Sequence, residues 1–95
     1  MDKNYWIYIL ANKRNGTLYT GCTSNLPKRI WEHKEGCSVF SKKYKVNSLV
    51  FYEKHETIES AALREKLIKK WKRSWKLDLI EENNPHWNDL FIDLI

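Results

Sequence analysis

Two short runs of apolar and aromatic residues open the chain, at residues 5–11 and 17–22. Both runs are rich in Tyr, Trp, Ile and Thr, the residue types that pack well on a pleated sheet. The residues between them are polar and include Asn15 followed by Gly16. Because an Asn-Gly pair readily adopts the left-handed backbone of a tight turn, the pattern predicts a β-hairpin.

A helical pattern of apolar residues follows the hairpin. Ser24 or Asn25 can cap this helix by accepting a hydrogen bond from one of its first amides. Pro27 suits the first turn, where its missing N–H is not needed. The helix is expected to run to about Glu35 and to end at Gly36, a typical residue just after a helix.

The second half of the chain predicts one more strand and two helices. Residues 47–54 form another predicted strand, with the apolar and aromatic residues Leu, Val, Phe and Tyr at its centre. Thr57 can cap a long helix over residues 58–73. Ser74 is expected to break that helix and to begin a shorter one that ends near Glu82.

Two segments carry weaker patterns. Residues 37–46 are polar and basic and are expected to be irregular. The C-terminal tail, residues 83–95, ends in apolar residues that are expected to pack back as a turn or short helix. The resulting order, ββαβαα, predicts an α+β fold with helices against a small, largely antiparallel sheet. A chain of 95 residues fits one domain, residues 1–95.

Lys and Arg together exceed Asp and Glu, 17 to 12, which gives a net charge of +5. This balance favours a polyanionic partner such as nucleic acid. The candidate contacts lie in two basic clusters, one with Lys42 and Lys43 and the other with Lys69, Lys72 and Arg73. A solvated helix face is the alternative interpretation. No segment resembles a signal peptide or a membrane span, so the expectation is a cytoplasmic protein without a membrane partner.

The first predicted helix carries two basic residues beside its apolar face. Leu26 and Ile30 are one turn apart and are expected to face the sheet. Arg29 and His33 each lie three residues after one of them, so both are expected to flank the buried stripe. A guanidinium drawn toward the interior needs an anionic partner or an anionic ligand. A structural contact explains either residue alone, whereas a functional site better explains the two together.

Glu65 repeats this feature on the long helix of the second half. It lies about one turn from Ala61 and from Ile68, beside the apolar face of that helix. A carboxylate in this position either pairs with a cation such as Arg29 or coordinates a hard metal ion. Mg²⁺ suits the second option, because it often takes one or two protein carboxylates and keeps water and phosphate as its other ligands.

The hairpin adds two tyrosines, Tyr8 and Tyr19, each within three residues of a strand end. A buried tyrosine hydroxyl usually finds a hydrogen-bond partner, although packing alone explains either ring. Gly21 permits close approach of a ligand or another segment where the second strand ends. Taken from the residues alone, these features indicate an anion site with a cation in a mildly basic domain.

These residues, in this order, resemble the GIY-YIG nuclease superfamily. The two name motifs of that superfamily lie on hairpin strands, and here they read Trp-Ile-Tyr at residues 6–8 and Tyr-Thr-Gly at residues 19–21. Arg29 and His33 on the next helix and Glu65 on a later helix follow in the superfamily's order. The chain is most similar to the small stand-alone branch of this superfamily.

The resemblance, which covers about residues 4–80, implies a fold, an activity and a cofactor. The implied fold is a three-stranded antiparallel sheet flanked by helices. The implied activity is endonucleolytic hydrolysis of nucleic acid, with DNA favoured over RNA, and it depends on one Mg²⁺ or Mn²⁺ bound by Glu65.

The resemblance also implies roles for the other site residues. Arg29 would neutralise charge on the phosphate, and Tyr8 or Tyr19 would take the proton of the attacking water with help from His33. A late asparagine of the superfamily matches residue 83, 84 or 88. The alternative is a nucleic-acid-binding module without catalysis that uses the same groove and the basic face of residues 66–76.

Overall fold

The structure is a computed structural model that describes residues 4–36 and 39–95, with the backbone alone for residues 39–41. Its elements in chain order are β1 (Tyr5–Ala11), β2 (Leu18–Thr23), α1 (Leu26–Lys34), α2 (Val39–Tyr44), β3 (Ser48–His55), α3 (Ile58–Lys70), α4 (Arg73–Asn83) and a 3₁₀ helix (Leu90–Leu94). The predicted ββαβαα order is confirmed, with two short helical elements added to it. Within the described ranges, no helix has the length and apolar character needed to cross a membrane.

The three strands form one antiparallel sheet in the order β2-β1-β3, which confirms the predicted fold class. The central strand, β1, pairs Tyr8 with Gly21 of β2 and with Tyr52 of β3. β3 contains one more residue than β1 over the paired region, Val50, and this residue makes a β-bulge. Asn15 takes the left-handed conformation that the hairpin turn requires, with φ 57°.

Helices cover both faces of the sheet, so β1 is fully buried from Ile7 to Ala11. Alternate residues of a strand point to opposite faces. Ile7 and Ile9 pack on the face covered by α3 and α4, which we call the α3 face. Tyr8 and Leu10 pack on the face covered by α1 and the 3₁₀ helix, which we call the α1 face. Burial on both faces explains why β1 is a continuous apolar run.

Both ends of α1 match the sequence prediction. The side-chain oxygen of Asn25 accepts a hydrogen bond from the amide of Lys28 at 3.3 Å, and Pro27 lies in the first turn. Gly36 follows the helix with φ 74°, a conformation that costs glycine little. Asn25 is therefore the cap, which settles the choice between it and Ser24.

The break between α3 and α4 falls earlier than predicted. α3 ends at Lys70, not near Arg73, and α4 starts at Arg73, not after Ser74. Trp71 and Lys72 between them have extended backbones. The ring of Trp71 packs against the core of the α3 face, and Arg73 donates hydrogen bonds to carbonyls of the hairpin turn. Tertiary contacts therefore determine the break, and the local sequence has no strong signal for it.

The segment predicted to be irregular contains the short helix α2. Six residues are too few for a clear periodic pattern, and helices of this length depend on tertiary contacts. Val46, two residues beyond α2, is fully buried on the α1 face and anchors the segment. Residues 37 and 38 of the predicted segment lie outside the described part of the chain.

The C-terminal tail packs back onto the domain, as predicted. Its 3₁₀ helix places Leu90 and Phe91 against the core of the α1 face. Asp89 accepts a hydrogen bond from the amide of Leu49 at 3.1 Å and forms an ion pair with Lys34. The tail therefore connects β3 to α1 and helps to hold α1 on the sheet.

Candidate active site

Tyr8 lies at the centre of the candidate site, under α1. It has no exposed surface, and its ring lies over the backbone of Gly21 on the neighbouring strand. A Cβ atom at Gly21 would be 2.4 Å from the Tyr8 hydroxyl oxygen, far inside the normal contact distance of about 3.5 Å. The predicted close approach at Gly21 is therefore that of the Tyr8 side chain.

Three aromatic rings meet on the α1 face, and we call them the Tyr8–Tyr19–His33 cluster. The ring centroids of Tyr8 and Tyr19 are 6.3 Å apart, and that of His33 lies 5.7 Å from the first and 5.2 Å from the second. His33 is only 3% exposed, as its position beside the buried stripe of α1 predicts. The hairpin and α1 together bring residues 8, 19 and 33 into contact.

A buried hydrogen bond joins two members of this cluster. The Tyr8 hydroxyl lies 3.1 Å from Nε2 of His33. Burial lowers the pKa of His33, and the nearby positive charge of Arg29 lowers it further. His33 is therefore neutral at pH 7, and its Nε2 can accept the Tyr8 proton in the tautomer that carries hydrogen on Nδ1.

The same burial raises the pKa of Tyr8 well above its usual value. Interaction with Tyr19 raises it further, a hydrogen bond and the charge of Arg29 oppose the rise, and the charge of Glu65 adds to it. A free phenolate at Tyr8 is thus unfavourable in the resting site. Tyr8 can lose its proton readily only if another group accepts it or if positive charge increases nearby.

Arg29 lies at the rim of the site, so the prediction that it is drawn toward the interior is wrong. Its side chain is 45% exposed, and its Nε is 3.3 Å from a carboxylate oxygen of Glu32. The guanidinium nevertheless lies near the Tyr8 hydroxyl: burial lowers the pKa of Arg29, but the interactions with Tyr8, Glu32 and Tyr19 together outweigh burial and raise it. Arg29 and His33 are one turn apart on the same face of α1, so an exposed residue at the rim and a buried residue can share that face.

Glu65 approaches from α3, on the other face of the sheet, beside the edge strand β2. Burial raises the pKa of the Cys22 thiol on β2, and the negative charge of Glu65 raises it further. That charge also acts on Tyr8. The carboxylate of Glu65 is 3.1 Å from Nζ of Lys69. Among the ion pairs of the described residues, Glu65 therefore pairs with Lys69, one turn along α3, and Arg29 pairs with Glu32.

The donor set at the site fits a weakly held divalent cation. The Glu65 side chain is 25% exposed, so one carboxylate is open to solvent beside the cluster. No group of three or more His, Cys, Asp or Glu side chains in the described ranges is arranged to hold a metal. Mg²⁺ and Mn²⁺ sites of the type that keep several waters and add a substrate phosphate need no more than this.

The structure distinguishes between the three late asparagines. Asn84 is buried, and its side-chain amide donates to the carbonyls of Val50 and Asn88 at 3.1 and 2.9 Å. Its side-chain oxygen accepts from the amide of Asn88 at 3.0 Å. Asn83 is exposed and donates to a carbonyl of its own helix. The Asn84 side chain therefore joins the tail to β3, and these hydrogen bonds hold it away from the Tyr8–Tyr19–His33 cluster.

The predicted nucleic-acid contacts differ in how they are placed. Lys69 pairs with Glu65, and Arg73 donates to the carbonyls of the hairpin turn. Lys43 lies over the ring of Tyr44 at 5.3 Å, and Lys72 lies over the ring of Trp75 at 5.6 Å. Lys42 is exposed on α2. Arg73 thus has a structural contact that the sequence did not indicate.

A groove at the start of α1, with a volume of about 340 Å³, has no clear signal in the sequence. It is lined by Ser24, Lys28 and Arg29, among others. Helical spacing turns Lys28 away from the buried stripe. The only local signal for a basic groove is that Lys28 directly precedes Arg29 at the start of the helix. The groove gives a phosphate access to the exposed guanidinium.

Comparison with known proteins identifies the family of this chain. Residues 4–78 match the GIY-YIG catalytic domain. A UPF0213 protein of Syntrophus aciditrophicus is 40% identical over 85 residues, which cover 87% of this chain and 95% of that protein. A UPF0213 protein of Staphylococcus saprophyticus is 41% identical over 83 residues, which cover 86% and 99%.

A solved structure gives the same result for the fold. The solution NMR structure of a UPF0213 protein from Bacillus halodurans superimposes with a TM-score of 0.58 at 25% sequence identity. The match covers 90% of this chain and 92% of that one. The chain therefore belongs to the GIY-YIG nuclease family, among the small single-domain proteins named UPF0213.

Proposed function

We propose that this protein is an endonuclease that hydrolyses phosphodiester bonds of nucleic acid, preferably DNA, with one Mg²⁺ or Mn²⁺. The observation that carries this proposal is the buried hydrogen bond between the Tyr8 hydroxyl and Nε2 of His33, with the exposed guanidinium of Arg29 one turn before His33 on the same helix. A proton acceptor and an anion ligand thus share the α1 face, and the charge of Glu65 reaches Tyr8 from the α3 side of the edge strand. Groups of these three kinds serve phosphodiester hydrolysis.

The tyrosines and His33 would handle the proton of the attacking water. The burial of Tyr8 disfavours a free phenolate, so Tyr8 acts as a base by passing its own proton to Nε2 of His33 as it accepts the proton of water. Tyr19 is the other candidate, because its partly exposed ring contacts His33 in the same cluster. In both cases His33 can take up a proton from the tyrosine only when its ring is neutral.

Arg29 would bind the phosphate and offset the charge that develops on it. Its guanidinium has several donors in a planar fork, which matches the oxygens of a phosphate. The contact with Glu32 is exposed on both sides, so it is weak and can be exchanged for a phosphate contact. The hydrogen bond to Tyr8 keeps the guanidinium next to the candidate base.

Glu65 would hold the metal ion through its partly exposed carboxylate. A bound Mg²⁺ or Mn²⁺ would supply Lewis-acid polarisation of the phosphate and stabilisation of the leaving oxygen. A cation at Glu65 would replace the contact with Lys69, whose exposed ammonium would then be free to contact the nucleic acid backbone. Before a cation binds, the charge of Lys69 balances the charge of Glu65.

A nucleic-acid-binding module without catalysis is the second candidate. It is favoured by Trp71 and Trp75, whose rings are 6.2 Å apart, and by Lys72 over the half-exposed ring of Trp75. Exposed aromatic rings with cations nearby suit the stacking of unpaired bases. The two candidates differ in one property, because only the enzyme cleaves its ligand.

The test is a metal titration of the wild-type protein against a panel of nucleic acids. The panel contains duplex, flap, branched and single-stranded DNA, with RNA versions of each. We expect cleavage of at least one member in Mg²⁺ or Mn²⁺ and none in EDTA. Binding without cleavage at every metal concentration would support the binding module instead.

A further inference from the structure

A second groove lies at the other end of α1, and we call it the α1 C-terminal groove. Its volume is about 240 Å³, and its lining includes His33, Gly36, Lys42, Lys45 and Asn47. The groove is therefore built by the end of α1, the end of α2 and the residues that lead into β3. None of the roles assigned above to the site residues uses it.

The groove carries positive charge that can bind an anion. The exposed side chains of Lys42 and Lys45 have no carboxylate partner among the residues whose side chains are described. Lys34, also in the lining, is occupied by Asp89 and by the carbonyl of Asn47. Glu35 is the acidic residue of the lining, so two available cations face one anion.

The groove borders the candidate active site at His33. This histidine belongs to the Tyr8–Tyr19–His33 cluster and also lines the groove. Arg29, one turn before His33 on α1, lines the groove of about 340 Å³ described above. The two grooves therefore lie toward opposite ends of the same helix.

We propose that the α1 C-terminal groove binds a backbone phosphate of the substrate strand through Lys45 and Lys42. Arg29 and His33, which line the two grooves, are one helical turn apart, about 6 Å along the axis at 1.5 Å per residue. The groove thus holds a phosphate within a few nucleotides of the scissile bond. The identity of the strand rests on the proposed function, whereas the anion site rests on the groove itself.

Lys45 offers an unusually clean variant, because its backbone is left-handed with φ 56°. Glycine adopts this conformation more easily than lysine does. Lys45→Gly therefore removes the cation and should keep or improve the stability of the fold. A loss of binding in this variant cannot come from a lost backbone conformation.

The experiment measures equilibrium binding of a DNA duplex in EDTA as a function of salt concentration. Each phosphate contact contributes about 0.9 to the slope of log affinity against log salt for duplex DNA. We expect Lys45→Gly to lower the magnitude of the slope by about that amount. The control is Lys54→Ala, an exposed lysine seven residues beyond Asn47 on β3, about 23 Å away, and it should leave the slope unchanged.

Duplexes with one neutral methylphosphonate then locate the contact. At one position in the duplex, the neutral linkage should remove the difference between wild type and Lys45→Gly. An unchanged slope in Lys45→Gly, or no such position, overturns the inference even if the wild-type protein cleaves DNA. A lowered slope with a mapped position, in a protein that never cleaves, supports the groove and rejects the nuclease proposal.

Discussion

The hydroxyl of Tyr8 lies 3.1 Å from Nε2 of His33, and both side chains are buried under α1. The two groups therefore titrate in the same low-dielectric environment. Burial raises the pKa of Tyr8 and lowers the pKa of His33, so the neutral pair is favoured in the resting protein. A reaction that uses Tyr8 as a base therefore either passes the Tyr8 proton through this hydrogen bond or needs more positive charge nearby.

The first prediction concerns the pH dependence of cleavage. His33 accepts the Tyr8 proton only when it is neutral, and burial lowers its pKa from 6.5. The rate should therefore rise with pH along a limb whose midpoint lies below 6.5. His33→Gln keeps an acceptor for Tyr8 but cannot take up the proton. It should cleave roughly 100-fold more slowly or worse, and the acid limb should be lost. An unchanged limb in this variant would show that another group is responsible.

The second prediction concerns stability. In the unfolded chain His33 takes up a proton near 6.5, whereas the buried ring takes one up only at lower pH. The unfolded state thus binds more protons between these two values, and stability falls as pH drops through this window. Urea denaturation at pH 7.5 and pH 5.5 measures the effect.

His33→Gln serves as the control for this measurement, because its stability should change less over the same interval. Glu53 does not interfere. Burial raises the pKa of Glu53, but the hydrogen bonds and charges of Arg64 and His55 together outweigh burial and lower it below 4.5, so its contribution is lost only in more acidic solution. Equal pH dependence in wild type and variant would contradict a buried neutral His33.

The third prediction concerns the contact between Gly21 and Tyr8. A Cβ at Gly21 would lie 2.4 Å from the Tyr8 ring, and the buried ring has no free space to move into. Gly21→Ala should cost about 1–3 kcal/mol of stability through overpacking and should also displace the Tyr8 hydroxyl. We expect loss of cleavage at temperatures where the variant is still folded.

Gly36→Ala is the matched control. Gly36 has φ 74°, and a Cβ added there would meet no atom within 4 Å, so alanine costs about 1–2 kcal/mol through the backbone alone. Because Gly36 lines the α1 C-terminal groove, the comparison is made at saturating DNA, where this variant should lose stability and keep its cleavage rate per folded molecule. Similar activity in both variants would mean that the position of Tyr8 does not matter for the reaction.

The fourth prediction concerns the metal ion. One partly exposed carboxylate, already paired with Lys69, is too weak a ligand set to bind Mg²⁺ tightly without a substrate phosphate. Millimolar Mg²⁺ should therefore leave the melting temperature of the free protein unchanged within about 1 °C. A shift of several degrees that disappears in Glu65→Gln would indicate a tighter, preformed site.

Local signals in the sequence were enough to predict the hairpin, α1 and the antiparallel fold class. Asn15-Gly16, the Asn25 cap and Gly36 each act within a few residues, so they can be recognised without tertiary information. The short helix α2 and the break at Trp71 depend on packing against the rest of the domain. No local pattern encodes such contacts.

The sequence indicated candidate residues for the site but not how deeply each side chain is buried. Helical spacing places Arg29 and His33 near the same buried stripe, yet a long guanidinium can leave that stripe and reach solvent while histidine cannot. The spacing also gave no partner for Glu65, because Lys69 and Arg29 are both within reach of a carboxylate in principle. The contacts of Arg73 with the hairpin turn join residues far apart in sequence and had no signal.

Glu65→Gln decides whether Glu65 belongs to a metal-dependent nuclease site. The variant keeps the shape of the side chain and loses only an exposed ion pair with Lys69, so it should fold normally, as circular dichroism can verify. Glu59→Gln, an exposed carboxylate on the same helix, is the control. The measurement is nicking of DNA with and without Mg²⁺, paired with equilibrium binding in EDTA.

We predict that folded Glu65→Gln shows no Mg²⁺-dependent nicking and binds DNA at least as well as wild type, because one negative charge near the backbone is gone. Glu59→Gln should nick at the wild-type rate. Full nicking by folded Glu65→Gln would contradict the proposed mechanism and would remove Glu65 from the site.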